Sequence, residues 1–142
     1  MTSRMILIST NHPQKRFPGK DIERAVRTVF RNEQERLPML SVICTDDRFM
    51  KKINREFLEH NYVTDVIAFP LGEDGGVEGE IYVNLDAAAR QAKEYGVTYS
   101  NECTRLFVHA ALHLCGYRDK TKKEKKRMTQ REELYLHRLS QK

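Results

Sequence analysis

The chain has 142 residues, 39% of them hydrophobic, which suits one domain built around one core and leaves too little for two. Its three cysteines, Cys44, Cys103 and Cys115, are odd in number and widely spaced, which argues against a disulfide framework or a cysteine-rich zinc site and makes a reduced, cytoplasmic setting the expectation. The N-terminal apolar run from Met5 to Ile8 is too short for a secretory segment and no stretch approaches membrane-spanning length, so a soluble, non-exported protein is expected.

A strand is predicted from Met5 to Ser9, followed by a loop containing Pro13, Pro18 and Gly19. Asp21 is a start signal for a helix in which Ile22, Ala25, Val26, Val29 and Phe30 recur at helical spacing to about Gln34. Leu40 to Thr45 alternates and is rich in β-branched residues, as a half-buried strand should be. Asp46 then caps a helix to about Leu58, with Phe49, Ile53 and Phe57 turned inward. Tyr62 to Leu71 reads as extended chain, with Thr64 and Asp65 as turn residues before it closes at Pro70. The acidic, glycine-rich stretch 72–76 forms a turn into a strand from Gly79 to Val83, completing a hairpin.

Asn84 caps a helix from Leu85 to Tyr95 that stops at Gly96, and a spacer from Thr98 to Asn101 leads to a helix from Glu102 to Leu114. The last helix runs from Lys122 to Leu139. No repeat or linker marks a second domain. The order of elements fits an α+β domain with one mixed sheet of about four strands packed by helices. His12, His60 and His137 stand alone in polar surroundings and receive no role.

The most informative stretch runs from His109 to Asp119. Residues four apart on a helix differ by about 40° around the axis, so His109 and His113 can face one ion. Gly116, just past the last apolar helical residue, is a left-handed terminator that lets Asp119 swing back as a third ligand. Three protein ligands leave a coordination position open, the pattern of catalytic metal sites. The zinc-protease signature needs a glutamate directly after the first histidine; Ala110 stands there, which argues against ordinary peptide hydrolysis. An isolated pair of histidines at this spacing is more often two partly buried helix residues than a metal site, and it is Gly116 and Asp119 that shift the reading. Two histidines and one carboxylate is also the ligand set of non-haem iron sites, so spacing leaves the metal open.

The charge distribution adds to this. The net charge is +5, and residues 118 to 127 alone carry seven Lys or Arg against Asp119 and Glu124, so the rest of the chain balances. A solvated helix face explains such a run as readily as function does. Beside a metal site it would also attract a polyanion, although the run lacks the interleaved aromatics that suggest base stacking.

The segment from His109 to Asp119 resembles the signature of the YbeY family of bacterial ribosomal RNA maturation factors, matching at His109, Leu112, His113, Leu114, Gly116 and Tyr117. It departs at Ala110, at Arg118, and at Asp119, where the family usually supplies a third histidine. Ile53 and Asn54, followed by Thr64 to Pro70, are similar to a second family motif, with Leu58 in the place of a family arginine and Arg55 one turn before it. Gly79 to Ile81, Gln91 and Ala92, and Met128 and Glu132 extend the resemblance over nearly the whole chain.

The resemblance implies a metal-dependent endoribonuclease acting on single-stranded RNA in the 3′-end maturation of 16S ribosomal RNA and in ribosome quality control. It implies zinc held by His109, His113 and Asp119, with a metal-bound water as the catalytic group. Arg55, Arg118, Lys120, Lys122 and Lys123 are candidate phosphate contacts, and the small ribosomal subunit or its proteins are the implied partners. A non-catalytic assembly factor stabilised by its metal is the alternative, followed by a metallohydrolase of another substrate class.

Overall fold

Alternation along the strands puts apolar residues on both faces of one sheet, and the helices divide between those faces. The computed structural model describes residues 5–57, 64–72 and 76–141. The elements are β1 (Ile6–Thr10), α1 (Gly19–Asn32), β2 (Leu40–Thr45), α2 (Asp47–Phe57), β3 (Val66–Pro70), β4 (Gly79–Asn84), α3 (Leu85–Tyr95), α4 (Tyr99–Leu114) and α5 (Lys122–Ser140). The strand order is β1-β2-β4-β3. β1, β2 and β4 are parallel, while β3 returns antiparallel on β4 with Ala68 opposite Ile81. The α+β fold with one mixed four-stranded sheet is therefore as the sequence predicts.

Leu40, Val42, Cys44, Ile81 and Val83 form the face against which the main core is built, with Ile22, Val26 and Val29 of α1 and Leu106, Phe107 and Ala110 of α4. The ring of Phe107 stacks on Phe17 at 5.8 Å. The opposite face carries a smaller cluster of Met50, Ile53 and Ile67, edged by Phe49, Phe69 and Tyr82. α4 is apolar on most sides because α1, α3, α5 and β3 all pack on it. Among the described residues, no helix is long and apolar enough to cross a membrane.

Several boundaries differ from expectation for local reasons. β1 is displaced by one residue because its register on β2 runs from Ile6 opposite Leu40 to Thr10 opposite Cys44. α1 begins at Gly19, two residues before Asp21, because Pro18 supplies the flanking carbonyl and a preset φ of −60°. It ends at Asn32, since Gln34 has a φ of +59° and cannot continue a right-handed helix. The expected spacer from Thr98 is the first turn of α4, with the Thr98 side chain accepting from the Asn101 N–H at 3.0 Å. The described strand β3 covers only the second half of the extended stretch expected from Tyr62. Residues 58–63, which include Leu58 and His60, and the turn residues 73–75 lie outside the described residues, as does the side chain of Phe57.

His12 corrects a sequence reading. Its neighbours are polar, yet it is only 5% exposed. Nδ1 accepts from the Gln14 and Lys15 N–H groups at 3.1 and 2.9 Å, which leaves the proton on Nε2 to donate to Asp86 at 2.8 Å. Asp86 also accepts from Lys15 Nζ and from the Asp47 N–H, both at 3.1 Å, so one carboxylate ties the loop after β1 to the starts of α2 and α3. Burial works to raise its pKa, but the His12, Asp47 and Lys15 hydrogen bonds outweigh this and hold it down to about 2.

A carboxyl depressed below its unfolded value, about 3.9, adds stability that is complete above that pH and is lost as pH falls towards the folded pKa. Asp86→Asn should therefore lower the urea midpoint at pH 7. The gap from wild type should close between about pH 4 and pH 2. Equal midpoints at pH 7 would show that the charge of Asp86 contributes nothing.

Candidate metal centre

The centre lies where α4 ends. His109 and His113 occupy its last turns, and Cys115 closes the helix by donating to the Ala111 and Leu112 carbonyls. Gly116 has a φ of +101°, which turns the chain so that Tyr117 N–H reaches the Leu112 carbonyl at 3.0 Å. Thr121 then starts α5 with a capping box, its hydroxyl accepting from Glu124 N–H while Glu124 accepts from Thr121 N–H. Asp119 sits on the short bridge between these two fixed ends.

The three expected donors come together. His109 Nε2 and His113 Nε2 are 3.0 Å apart, and each lies 3.4 Å from Asp119 Oδ2. Among the described residues this is the group of His, Cys, Asp and Glu donors close enough to share one ion. Their outer nitrogens are already engaged. His109 Nδ1 meets a Glu132 carboxylate oxygen and His113 Nδ1 meets the Tyr117 carbonyl at 3.0 Å. Both of those partners are acceptors, so in the neutral imidazoles the protons sit on Nδ1 and both Nε2 lone pairs face Asp119. Three acceptors converging without a donor fit a cation. An ion with tetrahedral bonds of about 2.0–2.1 Å needs ligands about 3.3 Å apart, which the two His–Asp separations match and the His–His pair approaches from below. The side chains of His113 and Asp119 are 31% and 38% exposed, which leaves the fourth side open to solvent.

One carboxylate reaches the centre from behind, and another braces the turn beside it. Glu132 of α5, only 5% exposed, accepts from Arg105 Nη1 at 3.1 Å with its other oxygen. Arg105 in turn donates to both oxygens of Glu102, at 2.9 and 2.6 Å, and Gln91 donates to Glu102 at 2.6 Å. On the other side, Glu33 after α1 accepts from the hydroxyls of Tyr117 and Tyr135 at 2.8 and 2.5 Å and from Arg131 at 2.5 Å. Burial acts to raise the Glu33 pKa, and the Tyr135, Arg131 and Tyr117 hydrogen bonds overcome it, so the carboxyl titrates below its ordinary value.

The candidate phosphate contacts are divided. Arg118 borders a surface cavity of about 360 Å³ with Cys115, Gly116, Tyr117, Glu124 and Arg127, and the Arg127 guanidinium lies 5.2 Å from the Tyr117 ring centroid. Lys120, Lys122 and Lys123 are exposed on and before the first turn of α5. Arg55 lies apart, in a pocket with Asn11, Asp46, Arg48, Phe49 and Lys52 on α2, which packs on the sheet face opposite α4. Thr64 and Asp65 act through their main-chain carbonyls, which hold Asn84 at 3.3 and 2.8 Å.

Sequence reasoning assigned no role to Glu33, Glu102 or Arg105, and Glu132 entered it only as part of the resemblance. The one signal available was in α5, where Glu132 interrupts the inward stripe of Met128, Tyr135 and Leu139. A charged residue in a core stripe calls for a partner.

The fold and the site together define a class: a small α+β domain whose central helix and following turn present two histidines and a carboxylate to one point. A family model described as Endoribonuclease YbeY matches residues 7–140. A protein of Chloroherpeton thalassium named Endoribonuclease YbeY is 36% identical over 132 residues, covering 93% of this chain and 94% of that one. One of Chlorobaculum tepidum with the same name is 40% identical over 114 residues, covering 80% and 83%. The solution structure of a Thermotoga maritima protein superposes with a TM-score of 0.65 at 26% identity, covering 95% of this chain and 89% of that one. The chain belongs to the YbeY family.

A Cβ added at Gly116 would meet nothing within 4 Å, so Gly116→Ala isolates the conformational cost of a positive φ. The variant should lose at least about 1 kcal/mol in urea unfolding. An unchanged midpoint would mean that the turn tolerates a negative φ.

Proposed function

We propose that this chain is a metal-dependent endoribonuclease that hydrolyses phosphodiester bonds in single-stranded ribosomal RNA, acting in the cytoplasm on the 3′ end of the small-subunit RNA and in ribosome quality control. The observation that carries the reading is the convergence of His109 Nε2, His113 Nε2 and Asp119 Oδ2, three acceptors with no donor among them. Family membership supplies the substrate class, since the relatives are named endoribonucleases.

His109, His113 and Asp119 would hold the ion, and zinc suits two imidazoles and a carboxylate at these separations. When bound, such an ion polarises a phosphoryl oxygen and acidifies a coordinated water. The protein's own share is positioning: the Tyr117 carbonyl fixes the His113 ring, and the bridge between Gly116 and Thr121 carries Asp119. Arg118, Lys120, Lys122 and Lys123 supply a positive field beside the centre that attracts RNA phosphates. Arg55, on the other sheet face, serves better as a distal contact along the strand than as a group at the scissile phosphate.

Elemental mass spectrometry should find about one divalent ion per chain in the wild type and little in His113→Ala or Asp119→Ala, with cleavage of single-stranded RNA abolished by chelation and restored by the ion. A protein that binds no ion after resupply would overturn the metal centre. A metal-loaded protein that binds RNA without cutting it would favour an assembly factor instead. Replacing Lys122 and Lys123 by Glu should weaken RNA binding and flatten its salt dependence, each lost phosphate contact lowering the slope by about 0.7. Asp119→His removes a negative charge from the donor set, so the pH–activity profile should move to lower pH. An unchanged profile would show that Asp119 does not set the charge at the centre.

A further inference from the structure

We infer that Glu132 is a positioning residue for the metal centre, holding His109 in the tautomer that presents Nε2 and supplying part of the negative charge that a divalent ion neutralises. The inference rests on the metal-centre reading above and concerns a residue that contributes no donor atom to it. Glu132 lies on the inward stripe of α5 between Met128 and Tyr135, both buried, where an apolar side chain would pack without any desolvation cost. A carboxylate there must be matched on both oxygens. One accepts from Arg105 Nη1 and the other is in close contact with His109 Nδ1.

Arg105 does not cancel this charge, because its guanidinium is already gripped by both oxygens of Glu102, which is 1% exposed. Two carboxylates therefore share one guanidinium behind His109, leaving one negative charge, and Asp119 adds a second in front. Among the groups that directly contact the two imidazoles, the balance is thus negative, which favours a cation between them. A carboxylate that accepts the Nδ1 proton also makes the opposite nitrogen a stronger donor to metal, and it fixes the ring plane as the Tyr117 carbonyl does for His113. The two histidines thus receive unequal support: a charged partner for the more buried ring and a neutral carbonyl for the more exposed one.

The test compares wild type, Glu132→Gln and Glu132→Leu by zinc competition against a chromophoric chelator, with metal-free unfolding measured alongside. Zinc affinity should fall about 10- to 100-fold in Glu132→Gln and further in Glu132→Leu. Metal-free Glu132→Leu should also unfold more readily than metal-free wild type, because Arg105 Nη1 and His109 Nδ1 lose a buried acceptor, so zinc affinity is the deciding readout. A residue that merely braced α5 would lower metal-free stability and leave zinc affinity unchanged, and that result overturns the inference. Nitrogen NMR of metal-free wild type gives a check that needs no variant: His109 should carry its proton on Nδ1, and a proton on Nε2 overturns the assignment. If wild type binds no zinc, the metal-centre reading itself fails; if it binds zinc and Glu132→Gln binds equally well, only the role of Glu132 fails.

Discussion

The position at which α4 stops governs the site. The helix is buried on nearly all sides by the sheet and by α1, α3 and α5, so its axial position and rotation are fixed by packing long before any chemistry is considered. Leu106, Phe107, Ala110 and Ala111 set which way the remaining face points, and that face carries His109 and His113. A rotation of this helix would bury the imidazoles or expose Phe107, at a cost of about 3 kcal/mol for the ring alone. The stop at Cys115 and the positive φ of Gly116 then decide where Asp119 falls.

Polar groups placed in this core carry the precision that packing alone lacks. The chain from Gln91 through Glu102, Arg105 and Glu132 to His109 links α3, α4 and α5, with every carboxylate oxygen along it accepting a hydrogen bond. A second chain, from Tyr135 and Arg131 through Glu33 to the Tyr117 hydroxyl, fixes the turn after α4 against α1. Such networks rigidify when complete and destabilise when cut, so each residue in them is worth more in place than its own contacts suggest.

Much of the fold is legible from periodicity: the strand at Leu40 to Thr45, the apolar stripe of α1 and the Asn84 cap all follow from residue spacing. The three donors are legible for the same reason, because they lie within eleven residues and one helical turn plus one glycine turn brings them together. What is not legible depends on long separations. Glu132 is 23 residues from His109, Glu33 is 84 from Tyr117, and His12 is 74 from Asp86, so no local pattern pairs them. His12 misleads most, since Asn11, Gln14 and Arg16 around it are exposed while it is buried. The helix starts at Gly19 and Tyr99 are missed because a proline carbonyl and a threonine hydroxyl outrank the acidic residues that follow them.

The compactness of the donor set along the chain also bears on how an ion influences folding. Donors drawn from distant parts of a sequence are scattered when the chain unfolds, and the ion then favours only the folded state. Here the unfolded chain keeps both imidazoles and the carboxylate within a short loop whose closure costs little entropy. An ion held by these three donors would therefore keep some affinity for the denatured ensemble, and its occupancy would raise the unfolding free energy by less than the native dissociation constant alone implies.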